Sequence, residues 1–352
     1  MPSPPAGLTS TSSIQEINAS ANGSFLLAPG VYTTKLKLKS QKIYGGPGVI
    51  LEAQIVSVPG AGNAYVAGIE VRGSKAGRIG VFSVEGTGMV FDYMYVHDID
   101  DPSYGGPGSA NLRPTCVHLG SNGHNTLRNS VITRCGEIGV IAQEPSDRVI
   151  NNEISYANTR NFGWNIPPGA AAGAKSHRSP GVVYRNNWLH HNKAPSIWID
   201  ATPNSGVVIE RNLIESGTAP GIMYEISSGG RIDTNVIRNT SHAGIYISES
   251  WNATIVNNKL DSNHGSLIIV EGGRSQAAKD LTFTNNHVEQ DNEGSGSYPL
   301  AAGALGNLVS NANISFSNNT YSIASGIAKP FRWSGKAKTP DQWTTIHPND
   351  MT

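Results

Sequence analysis

Three charged residues, Lys175, Asp200 and Glu225, are spaced 25 residues apart in a chain of 352 residues. Each lies in a short segment of alternating residue character, so all three side chains are expected on the same side of neighbouring strands. Two stacked carboxylates repel each other, and a basic neighbour favours the ionised form of the nearer one. We expect Lys175 to keep Asp200 ionised, while Glu225 holds a proton. Acid–base chemistry by a carboxyl pair requires this asymmetry.

An asparagine repeat indicates the elements that would position these residues. Apolar residues follow closely after the repeated asparagines, which are Asn129, Asn152, Asn187, Asn212, Asn235, Asn258, Asn286 and Asn319. Their most frequent interval is 23 residues, and a second apolar segment precedes several of them. Short strands separated by polar turns at this period are typical of the coils of a parallel β-helix. One buried Asn in each coil would form a hydrogen-bonded ladder.

The repeat predicts an all-β fold, a single-stranded right-handed parallel β-helix that forms one domain over residues 1–352. Residues 1–30 would form an N-terminal cap, residues 31–321 the coils and residues 322–352 a capping C-terminal segment. No linker separates these regions.

The expected caps contain apolar residues that could cover the two ends of the solenoid. A short helix would bury Ile14 and Ile17 against the first coil, and Trp333 and Trp343 would close the C-terminal edge. Covered edges are expected because an open sheet edge can pair with another chain.

Strand alternation separates inner from outer side chains in the sheet that carries the three charges. If Ile245 and Ile247 point inward, the outer side chains form two columns. The first column is predicted to contain Ile141, Gly173, Trp198, Met223 and Tyr246, and the second Gln143, Lys175, Asp200, Glu225 and Ser248. An ordinary charged ladder on a solvated face is the alternative interpretation.

Aromatic and polar residues near these columns are candidates for substrate binding. The interval between Asn152 and Asn187 contains an inserted loop, and such excursions commonly form one wall of a groove. Trp251 would extend the same region by one coil. The candidate binding residues are Trp198, Tyr246, Trp164, Trp251, His177, Arg178 and Gln143. Exposed aromatic side chains on a rigid scaffold indicate a binding surface, here for sugar rings.

The segments Trp198–Asp200 and Tyr224–Gly229 (YEISSG), separated by GVVIERNLI, carry a family resemblance. They are similar to the central motif of parallel β-helix glycoside hydrolases, notably the retaining β-xylosidases. The resemblance implies that Asp200 is the nucleophile and Glu225 the acid/base. It covers about Gly169 to Ile247, with a weaker similarity in the C-terminal FRW segment. The chain departs from that family in lacking its additional β-domain, so its substrate preference is not carried over.

The predicted coil spacing favours a retaining mechanism. Stacked carboxyl groups would lie roughly 5 Å apart, as in retaining glycosidases, rather than the ~6.5–9.5 Å of inverting enzymes. Asp200 would attack the anomeric carbon, and Glu225 would protonate the leaving oxygen and then activate water. Lys175 would hold Asp200 ionised or bind a sugar hydroxyl. We expect neither a metal nor another cofactor.

Composition limits the class of partner. The formal net charge is zero and charged residues make up 15% of the chain, so neither nucleic acid nor an anionic membrane is an expected partner. No apolar run predicts membrane insertion, and the N-terminus does not resemble a signal peptide. We expect a carbohydrate partner, an extracellular or virion-associated location, and a monomer or homotrimer. Cys116 and Cys135 are expected to be buried small hydrophobes rather than a redox pair.

Two other functions remain open from the residues alone. A polysaccharide lyase or epimerase acting on a uronate glycan could use Lys175 as a base beside Ca²⁺. A phage tail or adhesion β-helix could bind glycans without catalysis. Unsaturated products would identify the lyase, and a trimer without activity would identify the binding protein.

Overall fold

The computed structural model describes residues 4–73, 80–83, 85–101, 103, 105, 114–120, 122–164, 171–270, 277–290, 301–302 and 312–350. The chain forms two compact units, Met1–Lys175 and Ser176–Thr352, here called unit 1 and unit 2. A single domain over residues 1–352 stays a prediction.

Unit 1 consists of one short helix and many short strands. In chain order they are β1 (Thr9–Thr11), α1 (Ile14–Ala19), β2 (Ser24–Leu27), β3 (Gly30–Tyr32), β4 (Leu36–Leu38), β5 (Lys42–Tyr44), β6 (Val49–Leu51), β7 (Gln54–Ser57), β8 (Ala61–Gly62), β9 (Tyr65–Ala67), β10 (Glu70–Arg72), β11 (Gly80–Ser83), β12 (Gly86–Thr87), β13 (Val90–Asp92), β14 (Tyr95–Ile99), β15 (Thr115–Leu119), β16 (Thr126–Arg128), β17 (Val131–Cys135), β18 (Ile138–Ala142), β19 (Arg148–Ile150), β20 (Glu153–Ser155) and β21 (Ala172–His177), whose last two residues belong to unit 2.

Unit 2 continues the same kind of element and ends in a helix. Its elements are β22 (Val183–Arg185), β23 (Trp188–His190), β24 (Ile197–Asp200), β25 (Val208–Glu210), β26 (Leu213–Glu215), β27 (Ile222–Glu225), β28 (Arg231–Asp233), β29 (Val236–Arg238), β30 (Ala243–Ser248), β31 (Trp251–Val256), β32 (Lys259–Asp261), β33 (Gly265–Val270), β34 (Lys279–Thr284), β35 (His287–Gln290), β36 (Ala301–Ala302), β37 (Ile314–Ser317), β38 (Thr320–Ile323), β39 (Phe331–Trp333), β40 (Lys336–Lys338) and α2 (Pro340–Ile346).

The strands of unit 2 assemble into three sheets that the chain visits in turn. Sheet 1 has the order β22-β25-β28-β31-β34-β37, sheet 2 the order β23-β26-β29-β32-β35-β38, and sheet 3 the order β24-β27-β30-β33-β36-β39-β40. Neighbouring strands pair in parallel except in the β39–β40 hairpin. Unit 1 shows the same succession, with a separate two-stranded pair of β8 and β12. This is the predicted parallel β-helix.

Inward-pointing apolar residues of the strands build the interior. Ile209, Ile232 and Ile255 occupy equivalent positions in sheet 1, and each is almost completely buried. β-Branched side chains suit this role because they pack well on a pleated surface.

Of the helices in the described part of the chain, none has the length and apolar character needed to cross a membrane.

The asparagine ladder of unit 2 lies at the turn between sheets 1 and 2. In each step the backbone N–H and the side-chain amide of one Asn donate to the side-chain oxygen of the next, at 2.8–3.0 Å. The ladder consists of Asn187, Asn212, Asn235, Asn258, Asn286 and Asn319. The predicted buried column is therefore confirmed over these six residues.

In unit 1 the expected ladder position at Asn129 is wrong by one residue. Ser130 occupies it, because its hydroxyl accepts the N–H of Met94 and its N–H donates to the side chain of Asn152. Asn129 instead adopts a positive φ of 51° and donates to Asp92.

Both caps are present. Helix α1 begins after Ser13, whose side chain accepts the N–H of Glu16, and it buries Ile14 and Ile17 as predicted. At the other end the ladder finishes on Asp350, which accepts from Asn319 through one oxygen and from the buried indole of Trp343 through the other.

The two cysteines form a disulfide, so the expectation that they are unpaired is wrong. Cys116 lies in β15 and Cys135 ends β17, with their Cα atoms 5.7 Å apart and both residues buried. They come from successive coils and meet where sheet 2 gives way to sheet 3. Fewer residues than a full coil separate them because Cys116 lies near the start of β15 in sheet 3, whereas Cys135 lies at the end of β17 in sheet 2 of the next coil.

Replacing Asn235 with Ala should lower the free energy of unfolding by about 1–3 kcal/mol, because buried groups lose their hydrogen-bond partners. Asn235 accepts from Asn212 and donates to Asn258 and to the carbonyl of Ile209. Urea unfolding would measure the change. Lys259→Ala, at an exposed position beside the ladder, is the control and should change stability by less than about 0.5 kcal/mol. Equal stability of the two variants would contradict a structural role for the ladder.

Candidate active site

Asp200 and Glu225 are the last residues of β24 and β27, and they pair directly across these parallel strands. Their predecessors Ile199 and Tyr224 are buried in the interior, so strand alternation places the two carboxylates on the outer face of sheet 3. Ser248 continues this column in β30. Asp200 is half-buried, whereas only 6% of the Glu225 surface is exposed.

A sharp turn follows each residue of this column. Ala201, Ile226 and Glu249 all adopt positive φ angles of 46–47°. A β-branched residue such as Ile226 rarely adopts this conformation, and the surrounding structure must therefore impose it. The turn ends the strand immediately after the carboxylate-bearing residue, so these side chains stand at the edge of the sheet 3 face.

Buried hydroxyl groups hold these turns in place. Each hydroxyl donates to the carbonyl oxygen of the residue two positions earlier, at 2.7–2.9 Å. The hydroxyls of the second and later coils also accept a backbone N–H from the equivalent residue of the preceding coil. This hydroxyl ladder consists of Ser179, Thr202, Ser227 and Ser250. Sequence reasoning missed it, although a Ser or Thr recurs there at intervals of 23 to 25 residues.

Trp198 supports Glu225. Its indole Nε1 donates to Oε2 of Glu225 at 3.0 Å, and only 5% of its surface is exposed. In the adjacent outer column Trp198 pairs with Met223, which in turn pairs with Tyr246. Trp198 is therefore packed within this face and oriented by a hydrogen bond to Glu225, instead of presenting an open platform for a sugar.

The predicted register of Lys175 is wrong by two residues. Lys175 pairs with Ile141 in unit 1, whereas the predicted columns required Gln143. In unit 2 the N–H of Arg178 donates to the carbonyl of Asp200, just as the N–H of Ala201 donates to that of Glu225. His177 thus occupies the column position before Asp200.

The other predicted binding residues lie in different settings. Tyr246 is half-buried, Arg178 is exposed, and Trp251 begins β31 in sheet 1, around the turn from Ser248. In unit 1, Trp164 is half-buried and Gln143 is exposed, with its side-chain oxygen 3.2 Å from Nε2 of His118.

His242 is a site neighbour that sequence reasoning missed. It precedes β30, and its ring contacts Tyr246 with a centroid distance of 5.5 Å. Burial, and then the charge of His264, lowers the pKa of His242 to about 4. Its Nδ1 accepts the N–H of Ala243 at 2.8 Å, so neutral His242 carries its hydrogen on Nε2 and can donate from that atom.

The right-handed β-helix family model matches residues 115–288 and 165–321. The chain belongs to this family, which describes right-handed β-helix regions. The predicted hand of the solenoid is therefore confirmed. A search of curated proteins found no match.

The chain resembles several solved structures, and three of them are compared with it by fold and by sequence identity. The catalytic unit of a GH87 alpha-1,3-glucanase from Streptomyces thermodiastaticus strain HF3-3 has a TM-score of 0.62 at 14% identity, over 94% of this chain and 68% of that one. The Dettilon tailspike protein has a TM-score of 0.60 at 14% identity, over 84% of this chain and 64% of the tailspike. The A-module of mannuronan C-5 epimerase AlgE4 from Azotobacter vinelandii has a TM-score of 0.55 at 14% identity, over 92% and 87%. These similarities show the fold.

Replacing Ser227 with Ala should destabilise the protein by about 1–3 kcal/mol, because the N–H of Thr202 and the carbonyl of Glu225 lose a buried partner. Ser227→Thr is the matched control, since Thr202 already occupies the equivalent position one coil earlier. Thermal melting of both variants would test the hydroxyl ladder. A Thr variant as unstable as the Ala variant would indicate that crowding, and not the lost hydroxyl, explains the effect.

Proposed function

We propose that the protein is a glycoside hydrolase that cleaves a poly- or oligosaccharide by a retaining double displacement. Asp200 is the nucleophile and Glu225 the acid/base. The observation that carries this proposal is the direct pairing of Asp200 with Glu225 on one outer face. Paired strands are ~4.8 Å apart, a spacing compatible with the ~5–5.5 Å carboxyl separation of retaining enzymes.

In the first step, Asp200 attacks the anomeric carbon while Glu225 gives its proton to the leaving oxygen. This forms a glycosyl ester on Asp200 and releases the alcohol end of the substrate. In the second step, Glu225 takes a proton from water, whose oxygen attacks the anomeric carbon and releases Asp200. Both inversions occur at one carbon, so its configuration is retained.

The hydrogen bond from Trp198 positions Glu225 for its proposed role. Because Oε2 of Glu225 accepts the indole hydrogen, the proton of the neutral acid belongs on Oε1. The same contact holds the carboxyl group towards the coil that carries Asp200. A fixed acid loses less freedom on reaching the transition state than a mobile one.

The similar structures support a carbohydrate substrate, and the disulfide supports a location outside the reducing cytosol. Structures of this fold include an alpha-1,3-glucanase, a mannuronan epimerase and a phage tailspike, all of them named for action on glycans or for a place on a virion. The Cys116–Cys135 disulfide fits an extracellular or virion-associated location, since such bonds persist in oxidising environments.

A second candidate is a lyase or epimerase acting on a uronate glycan. It is favoured by His177, which precedes Asp200 in the column, and by the exposed cation of Arg178 beside it. An imidazole could remove the proton next to the uronate carboxyl, and a guanidinium could neutralise that carboxyl. Absorbance of unsaturated products during digestion of alginate or pectate would identify a lyase.

Asp200→Ala should abolish turnover on every glycoside, because the covalent route is lost. Glu225→Ala should reduce hydrolysis of unactivated glycosides by about 10²–10⁴-fold, but much less for an aryl glycoside with a good leaving group. Azide should restore activity to the Glu225 variant and give a glycosyl azide of retained configuration. The substrate for these assays would come from digestion of a glycan library with mass-spectrometric detection.

Glu210→Gln is the control for this experiment, because Glu210 lies in sheet 1, where it pairs with Arg185. It should hydrolyse the substrate at the wild-type rate. Azide rescue of the Asp200 variant, or an inverted azide from the Glu225 variant, would show that the two roles are reversed. Full activity in both variants would eliminate this site.

Trp198→Phe should lower kcat by about tenfold to a hundredfold and leave KM nearly unchanged, because a misplaced acid affects the chemical step. The loss should be largest for poor leaving groups, which depend most on protonation. Met223→Leu, a volume-conserving change in the same column, is the control. An equal loss with good and poor leaving groups would mean that Trp198 acts through packing alone.

A further inference from the structure

Sheet 2 of unit 2 carries an aromatic side chain that the proposed active site does not use. Trp188 begins β23, and 41% of its surface is exposed. Large exposed aromatic groups on a rigid scaffold commonly belong to binding surfaces. Sheet 2 lies on a different side of each coil from the Asp200–Glu225 face of sheet 3.

Trp188 is held in one orientation despite its exposure. Its indole Nε1 donates to Oε1 of Glu215 at 2.7 Å, and its ring stacks on His190 with centroids 4.0 Å apart. Glu215 is held in turn by Arg238, whose nitrogens lie 2.7 Å from Oε2. A ring fixed in this way loses little entropy when a ligand packs on it.

Glu215 remains an anion in this arrangement. Burial by itself would raise the pKa of Glu215, but hydrogen bonds from Trp188 and Arg238 outweigh it and lower the pKa below its usual value. The Glu215 carboxylate and the Arg238 guanidinium therefore compensate each other, and the pair carries no net charge. Arg238 still presents donors to solvent, with 43% of its side chain exposed.

Two parallel columns cross three successive coils here. Trp188, Leu213 and Val236 form an apolar column, and the equivalent residues His190, Glu215 and Arg238 form a polar column beside it. At ~4.8 Å per coil the columns extend over roughly 10 Å. A neutral sugar chain has matching features, because each pyranose ring offers an apolar face of C–H groups and a rim of hydroxyls.

We propose that this surface is a second glycan-binding site that takes a neutral oligosaccharide. The sugar ring packs on the exposed part of Trp188, and its hydroxyls bind the Glu215–Arg238 pair. Balanced charge selects a neutral chain over a uronate chain. Binding here does not require catalysis at Asp200 and Glu225, so the two proposals can fail independently.

The test is binding of the full-length protein to a glycan array that contains neutral and uronate oligosaccharides, followed by titration of the best neutral hit. Trp188→Ala should weaken binding of that hit at least tenfold. Tyr156→Ala removes another exposed aromatic side chain, 46% exposed, from unit 1 and should leave affinity within twofold. Asp200→Ala should retain array binding while losing turnover.

A second variant guards against misfolding of Trp188→Ala. Val236 is 36% exposed in the apolar column, and Val236→Lys places a long charged side chain there while Trp188, His190 and Glu215 are all retained. It should weaken binding by a similar factor while melting like the wild type. Unchanged affinity in the folded variants would overturn the proposal. So would a wild type that binds no glycan on the array, a preference for uronate chains, or an effect of these variants on self-association alone.

Discussion

The architecture of unit 2 depends on one repeated hydrogen bond, in which a turn side chain accepts the backbone N–H of the equivalent residue one coil earlier. Asparagines do this between sheets 1 and 2, and hydroxyl groups do it after sheet 3. The ladder asparagines are separated by 23 to 33 residues, yet every step has the same donors and acceptors. A coil that slipped would leave buried N–H groups unpaired, so register is maintained even where coil length varies.

This constraint explains how much of the molecule the sequence could predict. Asp200 and Glu225 lie on coils of similar length, so their pairing followed from spacing alone. Lys175 lies after a longer interval, and strand alternation could not place it, because a shift of two residues preserves which side chains point inward. Ser130 was missed because it replaces Asn in the ladder while a solvent-facing Asn129 stands beside it. The disulfide was missed because the corner contacts of a solenoid do not follow its coil period.

The role of Trp198 was unpredictable for a different reason. Alternation gave its outward direction, but burial depends on what the neighbouring coil places beside it. Met223 pairs with Trp198, and Glu225 reaches back to accept its N–H. The sequence predicts Trp198 as an exposed stacking surface, but these neighbours bury its side chain. On sheet 2, Trp188 pairs with Leu213 in the outer column, and its indole donates to Glu215. These neighbours leave 41% of the Trp188 surface exposed.

The same ladders restrain the residues to which we assign the proposed chemistry. A carboxylate at a strand end is normally mobile, but here the carbonyl of its own residue is bonded to a hydroxyl two positions later, and that hydroxyl is fixed to the preceding coil. Backbone position is thus set to the strand spacing, and only the side-chain torsions remain free. Asp200 has a short side chain with few such torsions, while the longer Glu225 is restrained by the indole of Trp198. These restraints favour a steady separation of the two carboxyl groups, which the proposed two-step displacement at one carbon requires.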